Sequence, residues 1–246
     1  MNTRNLFDRF YYSDPSFVDG TTQFHHLCRK HIPTASRILE IGPGPSNPTS
    51  EFLASIGSVV GVDVSDEIRD NNSLSASCVY DGRVLPFRNA CFDACVSDYV
   101  LEHIQHPALH FQEVARVLKP AAVYCFRTPN LWHYVTLGSK LLPHSVHLKL
   151  ANRLRGLPSH AHDPYPALYR ANTPRTIKNL CQGVPLEVLD LAMIEKEPSY
   201  GRSNAGLFFL MMAYERLVNS CDCLKALRAN IFGVLKRAAR LRPAAR

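Results

Sequence analysis

Three carboxylates and two glycines are the residues whose types and spacing could do chemistry. Glu40 closes the apolar run of "RILEIGPG", and Gly42 and Gly44 follow it one residue apart. Asp63 closes the run of "VVGVD", and Asp81 opens "DGRVLPF". A Gly-x-Gly turn lets backbone approach a ligand closely and take positive φ. Several nucleotide cofactors use such a turn. Glu40 narrows the choice, because a carboxylate at the end of the run repels a pyrophosphate. The third glycine of the dinucleotide fingerprint is also missing, with Asn47 and Pro48 standing there. The site therefore suits a cationic or hydrogen-bond-donating ligand with no phosphate. Asp63 can take both hydroxyls of a ribose, and Asp81 can accept from an adenine amino group. Together these residues suit S-adenosylmethionine (SAM).

The elements that must hold them can be read from periodicity. Short apolar runs at Ile38–Ile41, Val59–Val62, Cys78–Tyr80, Phe92–Ser97 and Ala121–Phe126 alternate with helix-like segments. The helices expected are Pro48–Ser55, a short one at Asp66–Asn71, and Pro107–Leu118 with apolar spacing at Leu109, Phe111, Val114 and Val117. Continuous apolar strands between helices imply a parallel sheet covered on both faces. Ligands then bind at the carboxyl ends of the strands, near the switch in strand order. Beyond Thr128 the sequence predicts two helices around Pro143, a helix from Thr173-Pro174 to Cys181, and a strand at Leu186–Ile194. A helix at Leu207–Val218, apolar nearly all round, and a strand at Asn230–Lys236 complete the chain.

Five motifs in order carry a family resemblance: "LEIGPG", "VVGVDVS", "DGRVLPF", "FDACVSDYVLEHIQHPALHFQEVARVLKP" and "FRTPN". Over residues 36 to 130 the chain resembles the class I SAM-dependent methyltransferases of the broad type 11 group. The resemblance implies a doubly wound, Rossmann-like, seven-stranded, mostly parallel sheet. It adds a helical insertion after the fifth strand and a helix between the sixth and seventh. One domain is expected over 1–246: a helical cap over 1–34, the cofactor core over 35–130, an acceptor-side insertion over 131–183, and C-terminal strands with a basic tail over 184–246. By the same resemblance Gly42 and Gly44 line the methionine part of SAM, and Glu40 contacts its amino group directly or through water. Asp63 holds the ribose and Asp81 the adenine, while Ser97 and Tyr99 lie beside the methionine and the methyl. Two departures stand out: Ser46 where many members have a third glycine, and Ala121-Ala122 where two glycines are usual. "HDPYPALYRANTP" and the C-terminal segment resemble a bacterial subgroup linked with surface-polysaccharide genes.

A methyl on a sulfonium is already activated, so the protein mainly has to orient an acceptor in line with it. A hydroxyl acceptor benefits from a base of near-neutral pKa. His103 in "LEHIQHP" is the candidate base, and His133, His160 and His162 are candidate acceptor contacts. The expected reaction is methyl transfer, at oxygen, to a small-molecule, glycan or lipid-linked acceptor. Two rival readings are an NAD-dependent oxidoreductase, opposed by Glu40 and the missing glycine, and a non-catalytic adaptor on the same fold. Nucleic-acid methylation lacks a base-stacking aromatic motif and a catalytic cysteine signature. No metal is expected, because His160-Ala-His162-Asp163 and Cys221-Asp222-Cys223 lack further ligands.

The 246 residues are 46% apolar and 20% charged, with a net charge of +7. Seven Lys/Arg and no acid lie between Lys225 and Arg246. Four Lys/Arg, five His and no acid lie between Leu131 and His162. Both stretches suit a solvated face or an anionic contact. The N-terminus lacks the apolar segment of a signal peptide, and no apolar run reaches the ~20 residues of a membrane span. The eight cysteines read as reduced, buried thiols of a cytoplasmic protein. The tail allows peripheral contact with an anionic membrane.

Overall fold

The computed structural model describes residues 3–141, 165–198, 201 and 204–239. Helix α1 (Thr3–Phe7) runs through a π-helical turn (Asp8–Tyr12) to α2 (Gly20–His31) and β1 (Ser36–Ile41). Next come α3 (Pro48–Ala54), β2 (Gly57–Asp63), a 3-10 turn (Asp66–Asp70), β3 (Ala76–Val79) and β4 (Phe92–Asp98). A second 3-10 turn (Leu101–His103) leads to α4 (Pro107–Val117), β5 (Leu118–Pro129) and α5 (Tyr134–Leu141). The later elements are α6 (Pro174–Gln182), β6 (Leu186–Ile194), α7 (Ala205–Ser220), a 3-10 turn (Asp222–Leu227) and β7 (Asn230–Arg237).

The seven strands form one sheet in the order β3-β2-β1-β4-β5-β7-β6. β1 pairs in parallel with β2 and with β4, β2 with β3, and β4 with β5. Sequence order therefore runs one way from β1 through β2 to β3 and reverses at β4. This is the doubly wound, mostly parallel sheet expected from the apolar runs. β1, β2 and β4 are buried along most of their lengths, as strands covered on both faces must be. Helix starts follow local chemistry. The Asn47 side chain accepts from Thr49 N and Ser50 N ahead of Pro48, and Thr173 accepts from Thr176 N ahead of Pro174.

The structure corrects several details. β3 begins at Ala76 and stops before Tyr80. β5 starts at Leu118, three residues before the expected strand, because its pairing with β4 shifts register between Phe92 and Ala94. Ala121 takes up that irregularity at φ +67°. Cys221 and Cys223 are exposed and paired with each other as a disulfide, contrary to the expected reduced, buried thiols. They face water because the turn after α7 carries them out of the apolar spacing. α7 is not buried all round. Phe208, Met211, Glu215 and Val218 are covered at a helical spacing, while Leu210 and Leu217 are 69% and 58% exposed.

The chain divides into two compact units. The larger joins Phe24–Thr128, Leu168–Ala192 and Ile231–Arg246, and it contains the glycine turn and the sheet centre. The smaller joins Met1–Gln23, Pro129–Ala167 and Met193–Asn230. Its core gathers Leu6, Phe7, Tyr11 and Phe208, with the Phe7 and Phe208 rings edge to face at 4.9 Å. Beneath them Glu215 accepts from the Tyr11 hydroxyl at 3.1 Å and from Asn219 Nδ2 at 2.8 Å.

Candidate active site

β1 ends at Ile41, and the chain turns through Gly42 at φ +69° and Gly44 at φ +60°. The two glycines answer different needs. A Cβ on Gly42 would stand 2.6 Å from Val100 Cγ2, whereas a Cβ on Gly44 would meet nothing within 4 Å. Gly44 thus presents bare backbone to open space. Asp63, the last residue of β2, reaches this turn. Its Oδ2 accepts from Gly44 N at 2.8 Å, and its Oδ1 accepts from Ser65 N at 2.9 Å. Parallel pairing of β1 with β2 brings the two strand ends together. Ser46, where a third glycine was expected by resemblance, ties the loop down. Its hydroxyl donates to Asp70 O and accepts from Asn72 N.

Glu40 lies under the turn with only 2% of its surface exposed. Its Oε2 accepts from Ser50 Oγ at 2.7 Å, and that oxygen in turn accepts from Asn47 Nδ2 and Asn71 Nδ2. Burial pushes the Glu40 carboxyl up to about 7, with the negative charge of Asp98 adding and the Ser50 bond opposing. A cation arriving nearby would favour its ionised form.

Asp98, Arg127, Thr49 and His25 form a cluster that sequence reasoning missed. Asp98 ends β4 opposite Arg127 on β5. The guanidinium grips the carboxylate through Nε and through Nη2, the latter at 2.7 Å. Thr49 Oγ1 donates to Asp98 Oδ2 at 2.7 Å, and His25 Nε2 stands 3.1 Å from Thr49 Oγ1. The signal was present in the sequence. Strand alternation puts Glu40, Asp98 and Arg127 on one face of adjoining strands, and a lone charge closes each apolar run. Tyr99 follows at φ +57°, with the Arg127 guanidinium 4.7 Å from its ring centre.

The remaining expected residues sit in varied surroundings. Ser97 is fully buried on the opposite strand face, sharing a hydrogen bond of 2.6 Å with the Tyr124 hydroxyl. His110 Nε2 meets the same hydroxyl at 3.1 Å, and burial lowers that imidazole to about 4. Asp81 caps its own turn, with Oδ1 accepting from Arg83 N at 2.9 Å and Val84 N at 3.2 Å. Those bonds hold its exposed carboxyl below the usual range. His103 ends the turn Leu101–His103 and is half-buried. His133 belongs to the smaller unit, where its Nε2 is 3.6 Å from Glu195 Oε2. Burial lowers His133 to about 4 and raises Glu195 to about 8. Both shifts favour the uncharged forms. His160 and His162 lie outside the described residues.

The turn fits SAM on two observations: an uncovered glycine backbone beside Asp63, and a buried carboxylate in place of phosphate-binding donors. Sequence comparison points the same way. Residues 39–126 match the family described as Methyltransferase domain. An uncharacterized methyltransferase of Schizosaccharomyces pombe is 30% identical over 122 residues, which cover 42% of this chain and 43% of the relative. A Methanocaldococcus jannaschii protein is 31% identical over 110 residues, 43% of this chain and 42% of that protein. The chain thus spans less than half the length of these curated relatives. The fold is that of the class I SAM-dependent methyltransferases. A SAM-dependent methyltransferase from Methanosarcina mazei superposes with a TM-score of 0.56 at 18% identity, covering 87% of this chain and 98% of that one. The [4+2]-cyclase SpnF gives 0.57 at 14% identity, covering 94% and 87%.

Proposed function

We propose that this chain is a SAM-dependent methyltransferase acting on a hydroxyl of a small-molecule, glycan or lipid-linked acceptor. The observation that carries the cofactor reading is the bond from Gly44 N to Asp63 Oδ2 at 2.8 Å. It sets the carboxylate of the second strand against the open glycine turn of the first. Gly42 and Gly44 would line the methionine part, Glu40 its amino group, and Asp63 the ribose. Asp81 and Tyr99 would complete the adenine and methionine sides. Bound there, SAM supplies an activated methyl group. The protein's own residues orient the acceptor and take its proton, and His103 is the proposed base. The same fold is found in a cyclase, so the fold alone does not specify the reaction, and the acids at the strand ends argue for SAM.

Calorimetry on folded Gly44→Val and Asp63→Ala tests this reading. Gly44→Val fills the open approach and forces a β-branched residue to positive φ. Asp63→Ala removes contacts to charged oxygen worth about 1.5–3 kcal/mol each. SAM affinity should fall at least tenfold in both. Unchanged affinity in both removes the assignment, and NADH binding instead supports the oxidoreductase. Labelled SAM offered with lipid extracts and glycans then identifies the acceptor. The exposed Leu210 and Leu217 on α7, in a chain of charge +7, favour an acceptor held at an anionic lipid surface.

A further inference from the structure

Cys221 and Cys223 stand apart from the other cysteines. Cys28, Cys91, Cys95, Cys125 and Cys181 are buried, and Cys78 is half-buried. Cys221 and Cys223 are both exposed, flank Asp222, and have Cα atoms 5.4 Å apart, inside the range a disulfide spans. A bridge across one intervening residue closes a very short loop, so it gains little from chain entropy. Exposure gives external thiols access to it. Such disulfides exchange readily, unlike long-loop structural bridges.

The turn that holds them is wired to another segment of the same unit. Cys221 ends α7 and begins the 3-10 turn Asp222–Leu227, and its sulfur accepts from Cys223 N at 3.3 Å. Arg228 closes the turn by donating to Met193 O and Val218 O. Asn130, fully buried, clamps it from the other side. Its Nδ2 donates to Ala226 O and Arg228 O, both at 2.8 Å, and its backbone N donates to Ala229 O at 2.7 Å. The Asn130 Oδ1 accepts from Trp132 N at 3.2 Å. His133 and Tyr134 follow, with the Tyr134 ring edge to face with Tyr214 of α7 at 4.7 Å.

We propose that Cys221 and Cys223 form a reversible dithiol–disulfide site, and that the turn carrying Trp132, His133 and Tyr134 responds to its redox state through Asn130. In reduction, a thiolate of an external dithiol attacks one sulfur, the S–S bond breaks, and a mixed disulfide forms. The second thiol of the reductant then displaces the cysteine. The pair gains two electrons and two protons, and the reductant leaves as its disulfide. Oxidation is the reverse exchange.

The test uses the full chain in graded mixtures of reduced and oxidised dithiothreitol. Iodoacetamide labelling with peptide mass spectrometry reads the thiols, and the emission of the single tryptophan, Trp132, reads the turn. Cys221 and Cys223 should become labelled together along one titration, with the five buried cysteines protected. Trp132 emission should change with the same midpoint, and in folded Cys221→Ser, checked by circular dichroism, it should stay constant. If that variant does not fold, the wild-type titration decides alone. Labelling of both cysteines in every mixture, or of neither, overturns the site. A thiol titration with constant Trp132 emission overturns the coupling. Neither readout needs cofactor or acceptor, so the result is independent of the methyltransferase reading.

Discussion

Glu40 costs the fold stability at neutral pH, and the cause is burial. Its carboxyl titrates near 4.5 when unfolded and near 7 in the fold. The folded chain therefore holds the proton more tightly. The contribution of Glu40 to stability is greatest below about 4.5 and declines as pH rises through 7, by ~3 kcal/mol in all. Glu40→Gln keeps an oxygen for Ser50 and removes the ionisation. Denaturation at pH 5 and pH 8 should show the variant gaining on the native chain only at pH 8. Calorimetry should show the variant losing SAM affinity, and native affinity should weaken from pH 8 to pH 6 as Glu40 takes up its proton. A variant that binds SAM normally removes Glu40 from the site. His103→Ala is expected to leave SAM affinity nearly intact and to slow methyl transfer by about a hundredfold, the range of a lost general base. The loss should shrink toward low pH, where the native imidazole is itself protonated and can no longer take a proton. Unchanged turnover would make His103 structural and direct the search to His133, His160 and His162.

Two elements hold the sheet against local preferences. Ala121 sits at φ +67° at the start of β5, a region that costs an L-residue about 1–2 kcal/mol. Ala121→Gly removes that strain and adds backbone freedom to the unfolded chain. The net expectation is a gain of ~0.5–1 kcal/mol in denaturant unfolding, with the denaturant slope unchanged. A loss of stability would mean that the Ala121 methyl is needed for packing. β7 makes the opposite demand. A Cβ on Gly233 would run into the Phe126 ring of β5. Gly233→Ala should cost about 1–3 kcal/mol through overpacking. Phe126→Leu in the same chain should restore part of that loss. Strict additivity of the two changes would show that they do not share a contact.

At the scale of the whole molecule, charge and apolar exposure meet the question of where the protein works. Among the described residues no helix is long and apolar enough to cross a membrane. The basic stretch from Lys225 to Arg246 and the exposed leucines of α7 would suit surface binding, at ~1 kcal/mol per basic residue close to the lipid. Flotation with vesicles should require anionic lipid and weaken with salt. It should also weaken in a chain ending at Lys236 and in Leu210→Asp/Leu217→Asp. Protein that stays at the bottom of the gradient under every condition removes the physical support for a lipid-linked acceptor.

The sequence by itself determined the doubly wound sheet and the turn at Gly42 and Gly44, with Glu40 and Asp63 beside it. Those features depend on local pattern: apolar runs of strand length, a glycine pair, and acids that end the runs. It could not determine which side of a strand each residue serves once its neighbours are in register. Ser97 and Asp98 are adjacent in sequence, yet alternation sends Ser97 inward to Tyr124 and Asp98 to Arg127 and Thr49. Asp81 was legible as an acid after a strand, but only the folded turn shows its carboxylate bonded to Arg83 N and Val84 N. The clamp of Asn130 on the 222–229 turn and the burial that pushes the Glu40 carboxyl up to about 7 are tertiary facts. Each depends on segments distant in sequence coming together and excluding water, and no window of sequence contains both partners.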